Sequence, residues 1–181
     1  MMASPTIRLV PLPLAAMKAL VAGERGRASE LTGVDLPSFF SEERMIWLCN
    51  YRINQIETDP ASAEWLVRVV VSEPEGEVVG HAGFHGPPDE NGMVEVGYSV
   101  VPEFRRRGFA KAIVRALLER ASSEPDVAVV RASISPDNEA SLATIAGFGF
   151  TRVGEQWDDE DGRELLFELP VPVSGNSKGA Q

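Results

Sequence analysis

Residues 94–121 read VEVGYSVVPEFRRRGFAKAIVRALLERA, and this stretch decides the fold. Its first part, residues 94–101, largely alternates apolar with small or polar side chains, which predicts a β-strand. After Gly108, one set of apolar residues recurs at helical spacing: Ala110, Ile113, Val114, Leu117, Leu118 and Ala121. That spacing places them on a single face of a helix. A strand, a glycine turn and an amphipathic helix in succession are typical of an α/β domain.

Predicted elements continue on both sides of this stretch. Before it, we predict strands over residues 7–10, 65–71 and 78–84, and helices over 14–22 and 45–56. After it, we predict strands over 127–134, 150–157 and 163–169, and a helix over 139–146. The order predicts one α/β domain over residues 1–169, built around a mixed sheet.

Other segments are predicted from turn and capping residues. Residues 23–37 carry three glycines and are expected to form a loop. Ser38 and Ser41 are candidate N-caps of the helix that follows them. Residues 170–181 are rich in Pro, Gly, Ser and Asn, so we expect a disordered C-terminal tail.

Composition excludes several classes of protein. The 181 residues carry 17 Lys and Arg against 27 Asp and Glu, a net charge of -10, which disfavours a nucleic-acid partner. Apolar runs are too short for a membrane span, and the first residues lack the features of a signal peptide. Cys49 is the single cysteine, so a cytoplasmic protein without disulfides is expected. Its position on a helical face predicts that it is buried.

A basic run between the strand and the helix points to an anion site. Arg105, Arg106 and Arg107 precede Gly108, and Lys111 follows within the first helical turn. Amide groups at a helix N-terminus bind phosphates, and arginine adds charge-assisted hydrogen bonds. The alternative is a solvated basic turn with no ligand.

The same run carries a family resemblance. Residues 105–110 have the form Arg-x-x-Gly-x-Ala, which resembles the acyl-CoA motif of the GNAT superfamily of N-acetyltransferases. EVGY at 95–98, PDNEAS at 136–141 and Gly149-Phe150 are similar to the same family, so that the resemblance spans residues 78–157. The nearest branch includes acetyltransferases of ribosomal-protein N-terminal alanines. The resemblance implies a mixed, mostly antiparallel sheet flanked by helices, acetyl-CoA as co-substrate and a possible homodimer.

The resemblance also implies which residues hold acetyl-CoA. Backbone groups of Ser99, Val100 and Val101 would bind the pantetheine arm. The diphosphate would lie on the amides and side chains of the basic turn and first helical turn: Arg105, Arg106, Arg107, Gly108, Phe109, Ala110 and Lys111. Asn138 would contact pantetheine, and it is also a candidate helix N-cap.

The reaction implied is direct attack of a primary amine on the thioester. Glu95 is the candidate general base, because strand alternation places it on one face with Gly97 and Ser99; a salt-bridged surface glutamate is the alternative. A backbone N–H near Val100 and Val101 would meet the developing oxyanion. Ile145 stands where many relatives have a proton-donating tyrosine. Ser141 is the candidate for a proton relay, or it packs in the first turn of its helix.

Two further patterns are set aside. His81 and His85 would lie about 13 Å apart on a strand, which is too far to ligate one metal ion together. The acidic run at residues 158–162 is interpreted as a solvated hairpin tip rather than a calcium loop.

The acceptor remains open between a protein N-terminus, a polyamine-like metabolite and an amino-bearing antibiotic. In the resembling family the acceptor site is shaped by the region that corresponds in position to residues 14–64. We could not match the sequence of these residues to the family, so it does not identify the acceptor. The alternatives to this function are a different acyl donor and a non-catalytic acyl-CoA-binding module or sensor. A nucleotide-binding loop is disfavoured because Gly108 is followed by Phe109 and not by lysine.

Overall fold

The computed structural model describes residues 4–172. Within them, seven strands hydrogen-bond in the order β1-β2-β3-β4-β5-β7-β6. The strands are β1 Thr6–Pro11, β2 Arg68–Glu73, β3 Val78–Phe84, β4 Met93–Val100, β5 Val129–Ile134, β6 Thr151–Asp158 and β7 Gly162–Pro170. The helices are α1 Leu14–Val21, α2 Arg25–Thr32, α3 Glu43–Thr58, α4 Phe109–Ser123 and α5 Glu139–Ile145. The predicted α/β class with one mixed sheet is confirmed.

The chain divides into two compact units. The first unit contains residues 4–87 and 98–113, and its core lies between α1, α3, β2 and β3. Large side chains such as Met17, Phe40 and Leu66 are almost completely buried there. Strand β2 pairs in antiparallel fashion with both β1 and β3.

The second unit contains residues 88–97 and 114–172. Strand β7 lies between β5 and β6 and is antiparallel to both. The start of β4 runs parallel to β5, and the ladder between them covers Met93, Val94 and Glu95. Among the described residues this ladder ends at the pair Glu95–Arg131, although β4 continues to Val100 and β5 to Ile134.

Helix α2 corrects the loop predicted for residues 23–37. Its sequence, RGRASELT, has few apolar residues and therefore no visible helical period. Tertiary contacts stabilise it instead: Ala28 is completely buried, and the Arg25 side chain donates to the backbone oxygen of Leu36. The helix ends at Gly33, whose left-handed φ of 71° suits a C-terminal cap.

Three boundaries also differ from the prediction. Ser38–Ser41 forms a 3-10 helix, and α3 begins after Glu42 with no side-chain cap, so the serine N-caps were wrong. Strand β2 begins at Arg68 rather than residue 65, because the 3-10 helix Pro60–Glu64 precedes it. Helix α3 ends at Thr58, two residues beyond the predicted bound, and Asp59 is its C-cap.

The C-terminal boundary lies slightly beyond the predicted one. Strand β7 ends at Pro170, and Val171 is buried, with its N–H donating to the backbone oxygen of Ala128. Residues 173–181 of the predicted tail lie outside the described part of the chain. No helix within residues 4–172 is long and apolar enough to cross a membrane.

Candidate functional site

The turn between β4 and α4 holds two left-handed residues. Arg106 has φ 58° and Gly108 has φ 87°. Glycine adopts this region at no steric cost, whereas a residue with a Cβ is strained there by roughly 1–3 kcal/mol. Successive backbone N–H groups in a turn can converge into a concavity that binds anions. The strain at Arg106 therefore marks this turn as a candidate ligand site.

The arginines of this turn have different surroundings. The Arg105 Nε donates to the backbone oxygen of Val100 at 3.1 Å, which ties the turn to the end of β4. The Arg107 guanidinium lies 5.3 Å from the centre of the Phe104 ring, and that ring packs edge-on against Phe109. All three arginines are exposed, so each retains N–H groups for a ligand in solvent.

Helix α4 supplies backbone donors at the same place. It begins at Phe109, and the first i→i-4 bond is made by Ala112, whose N–H donates to the Gly108 oxygen at 3.1 Å. The N–H groups of Phe109, Ala110 and Lys111 lie at the open end of the helix, where the helix dipole is positive. That these groups hold a diphosphate stays a prediction.

The end of β4 is the predicted pantetheine strand. Ser99 is partly buried, whereas Val100 and Val101 are buried. The Val101 N–H donates to the backbone oxygen of Val79 at 2.9 Å. Because the Val101 N–H already donates to β3, the Val100 N–H is the remaining candidate for the predicted donor to an oxyanion.

Glu95 lies in a row of charged side chains across the second unit. It pairs in register with Arg131 on β5, and Arg131 pairs with Glu168 on β7. Residues directly opposite on neighbouring strands share a face of the sheet. The Arg131 Nε donates to Glu168 at 3.0 Å, so this arginine is held by β7. Glu95 is partly buried, in keeping with the predicted alternation along β4.

Glu164 is a candidate that sequence reasoning missed. It lies on β7, four residues before Glu168 and therefore on the same face. Burial raises the pKa of Glu164, the hydrogen bond from Gln156 lowers it, and the charge of Glu95 raises it further. Glu164 is therefore a second carboxyl group on the face of the sheet that carries Glu95, and the two charges interact. The sequence signal for this was the spacing of two residues between Glu164, Leu166 and Glu168, which places all three on one face of the strand.

Helix α5 positions Asn138 and Ser141. The Asn138 Oδ1 accepts the Ser141 N–H at 3.0 Å, so Asn138 caps the helix. Its contact with pantetheine stays a prediction, as does the role of Ser141, which is partly buried. Ile145 is buried. An apolar side chain therefore occupies the position at which many relatives have a proton-donating tyrosine.

Cys49 and His81 are titratable side chains packed inside the first unit. Cys49 is buried, and burial raises the pKa of its thiol to about 12, which makes it unreactive. His81 stacks on Phe39 at 6.0 Å, and burial, aided by the charges of Arg44 and Arg52, lowers its pKa to about 4. Across residues 4–172, no group of three or more His, Cys, Asp or Glu could hold a metal ion.

A groove of about 470 Å³ lies on the exposed side of α3. It is lined by Tyr51, Asn54, Gln55, Thr58, Asp59 and Ser62. Tyr51 is 54% exposed and stacks on Trp47, also exposed, with ring centres 5.6 Å apart. The Arg52 guanidinium lies 5.2 Å from the centre of the Tyr51 ring, so this ring already has a cation beside it. The Asp59 carboxylate, which accepts the Ala61 N–H at 3.2 Å, is the acidic group of the groove.

Comparison with known proteins places the chain in a family. Residues 35–151 match the model of the acetyltransferase (GNAT) domain. A curated relative, the uncharacterized N-acetyltransferase YjdG of Bacillus subtilis, is 35% identical over 82 residues, which are 45% of this chain and 49% of that protein. The chain thus matches about half the length of its curated relatives.

Solved structures share the fold at low sequence identity. The ribosomal-protein-S5-alanine acetyltransferase from Vibrio fischeri superposes with a TM-score of 0.60 at 16% identity, covering 94% of both chains. The microcin C7 self-immunity acetyltransferase MccE, solved with acetyl-CoA and AMP, gives 0.61 at 14% identity, covering 91% of this chain and 92% of that chain. Together with the matched domain, these findings show that the chain belongs to the GNAT acetyltransferase family.

Proposed function

We propose that this protein transfers an acetyl group from acetyl-CoA to a primary amine. The observation that carries the proposal is the β4–α4 turn, where a strained Arg106 and a left-handed Gly108 precede the open amides of α4. Backbone strain at a residue with no local requirement for it is typical of ligand sites. Family membership supplies the chemical class, since a thioester provides the activated acyl group.

Binding is divided between the turn and the strand before it. The α4 amides, Arg106 and Lys111 hold the diphosphate, while Arg105 keeps the turn against Val100. Backbone groups of Ser99 and Val100 align the pantetheine arm, and the Val100 N–H stabilises the oxyanion. Asn138 is proposed to contact the same arm in addition to capping α5.

Glu95 is proposed as the general base. An amine of high pKa is protonated at neutral pH and must lose a proton before it attacks. Glu95 accepts that proton, directly or through water. Ser141 is proposed to relay a proton to the leaving thiolate.

A pair of variants tests this assignment. Glu95→Gln should lower kcat by about 100-fold or more and abolish the acidic limb of the pH–rate profile. Glu164→Gln is the matched control, with the same chemical change on the same face, and should retain that limb. An acidic limb kept in Glu95→Gln and lost in Glu164→Gln would assign the base to Glu164.

The acceptor is proposed to enter the groove on α3, within the segment that sequence analysis could not match to the family. Asp59 offers its carboxylate to a protonated amine. Asp59→Asn should raise KM for the amine and leave the affinity for acetyl-CoA unchanged. Equal KM values in the variant and the native protein would move the acceptor elsewhere.

One experiment separates the enzyme from a non-catalytic acyl-CoA sensor. Acetyl-CoA should raise the Tm in either case, because any ligand of the native state does so. Release of free thiol on addition of peptides, polyamines or aminoglycosides should occur for the enzyme alone. The absence of a Tm shift at millimolar acetyl-CoA would contradict both functions.

We further propose that the protein acts in the cytoplasm and forms a homodimer. Its mass in solution tests the homodimer.

A further inference from the structure

Gly80 on β3 lies directly against the end of β4. A Cβ built on Gly80 would stand 2.1 Å from the backbone oxygen of Ser99 and 3.2 Å from the Val100 Cα. Side-chain carbons essentially never approach another atom below 3.0 Å. The Ser99 carbonyl therefore occupies the space that any other residue at position 80 would fill.

The neighbouring contacts leave little freedom to relieve this overlap. The Val101 N–H is held by the Val79 oxygen, and the Val100 oxygen accepts from the Arg105 side chain. Both Val79 and Gly80 are buried in the first unit. To reach 3.0 Å, the Ser99 oxygen would have to move by about 0.9 Å, the difference between 3.0 and 2.1 Å, and the hydrogen-bonded chain on either side of it would have to move as well.

We propose that Gly80 is a positioning residue for the acyl-CoA site: by lacking a side chain, it lets the Ser99–Val101 backbone take the place from which it binds pantetheine. Gly80 touches no ligand in this account and acts through Ser99. The inference rests on the proposed function, because it requires that β4 binds acyl-CoA. Gly80 lies on β3, outside the acyl-CoA motif at residues 105–110, so the inference adds a residue of a second strand to those that shape the acyl-CoA site.

Gly83 on the same strand provides a matched control. A Cβ there would stand 2.5 Å from the backbone oxygen of Leu66, so Gly83→Ala also overlaps a buried backbone. The overlap is directed at the segment before β2 and not at β4. Both variants should lower the Tm, whereas Gly80→Ala alone should disturb the ligand.

The experiment measures Kd for CoA by calorimetry and kcat and KM for acetyl-CoA in the native protein and both variants. Because a displacement of about 1 Å in a site costs up to about 100-fold, Gly80→Ala should raise Kd and KM for acetyl-CoA by about tenfold or more. Gly83→Ala should leave both within about twofold, and the KM for the amine should change in neither.

The outcomes separate this inference from the proposed function. If the native protein binds no CoA, the proposed function fails. If the native protein binds CoA and Gly80→Ala binds equally well, or Gly83→Ala is equally impaired, the positioning role is overturned.

Hydrogen exchange in the native protein covers the case in which Gly80→Ala does not fold. Saturating CoA should protect the amides of residues 79–81 and 99–101 more than those of residues 66–67 and 83–84. Equal or absent protection would also overturn the proposal.

Discussion

The basic turn before α4 and the acidic turn between β6 and β7 are both runs of like charge, but they are built differently. In the acidic turn, the Asp158 Oδ1 accepts the N–H groups of Glu160 and Asp161 at 2.8 and 2.9 Å, and the left-handed position is filled by Gly162. In the basic turn, an arginine takes a left-handed conformation that glycine would adopt without strain.

The difference shows that a charge run alone is not a functional signal. The acidic side chain satisfies its own turn, so its sequence is explained by local structure. Nothing local in the basic turn requires Arg106 to be strained. Strained residues cluster at functional sites, so the strain at Arg106 distinguishes two segments that are equally conspicuous in the sequence.

The largest expected effect comes from placing a Cβ in each turn. Gly108→Ala strains a φ of 87° and sets its Cβ 3.2 Å from Pro5 Cδ, whereas Gly162→Ala strains a φ of 74° with its nearest neighbour, a ring carbon of Trp157, at 4.0 Å. Losing one charge-assisted hydrogen bond costs about 1.5–3 kcal/mol, so Gly108→Ala should weaken acetyl-CoA binding by about tenfold or more. Calorimetry should show unchanged affinity in Gly162→Ala; an equal loss in both would remove the contrast.

The next effect separates strain from charge at Arg106. Arg106→Gly removes both, and Arg106→Ala removes the charge alone. We expect Arg106→Gly to raise the free energy of unfolding by up to about 1 kcal/mol while acetyl-CoA affinity falls about threefold to tenfold. Denaturant titration and binding at two salt concentrations measure these changes. Native affinity in both variants would mean that the Arg106 side chain plays no part in binding.

A smaller effect is expected in the acidic turn. Asp158→Ala removes both hydrogen bonds to the turn amides and should lower the Tm without changing kcat. These bonds hold the pKa of Asp158 below its usual range, so its contribution is present above the unfolded pKa of about 3.8 and is lost as the pH falls through the folded value. The Tm difference between native and variant should therefore shrink on acidification. A fall in kcat would give the acidic turn a functional role.

The smallest effect has the opposite pH dependence. Burial raises the pKa of Glu164 above its ordinary value, so the native state binds the proton more tightly than the unfolded chain and loses stability as the pH rises through the folded value. Glu164→Gln removes that loss. Its Tm should exceed the native Tm increasingly from about pH 4.5 upward, and a constant difference across that range would contradict the shift.

Sequence patterns recovered the elements with strong periodicity. Strand β4 has the predicted bounds within one residue, and helix α4 contains the whole predicted apolar face, because alternation or a single apolar face specifies each. Helix α2 was missed because it is held by one buried alanine and by side-chain contacts to the segment after it, which no period reveals.

The local conformation of the candidate site residues could be predicted where it depends on a local motif, whereas their binding and catalytic roles stay predictions. Arg105 to Lys111 form the turn and helix start that the motif implied, and Asn138 caps its helix. Glu164 was missed because its charge interaction with Glu95 joins residues about 70 positions apart in the sequence. Gly80 was missed because its importance lies in what a neighbouring strand places against it.

The sequence by itself determined the family resemblance, the strand–turn–helix unit and the location of the basic run, because each depends on residues close together along the chain. The tertiary structure alone decided which charge run carries strain, which carboxylate neighbours Glu95 and which glycine admits the Ser99 carbonyl. These depend on backbone angles and on contacts between strands distant in sequence, which arise from packing and leave no local pattern.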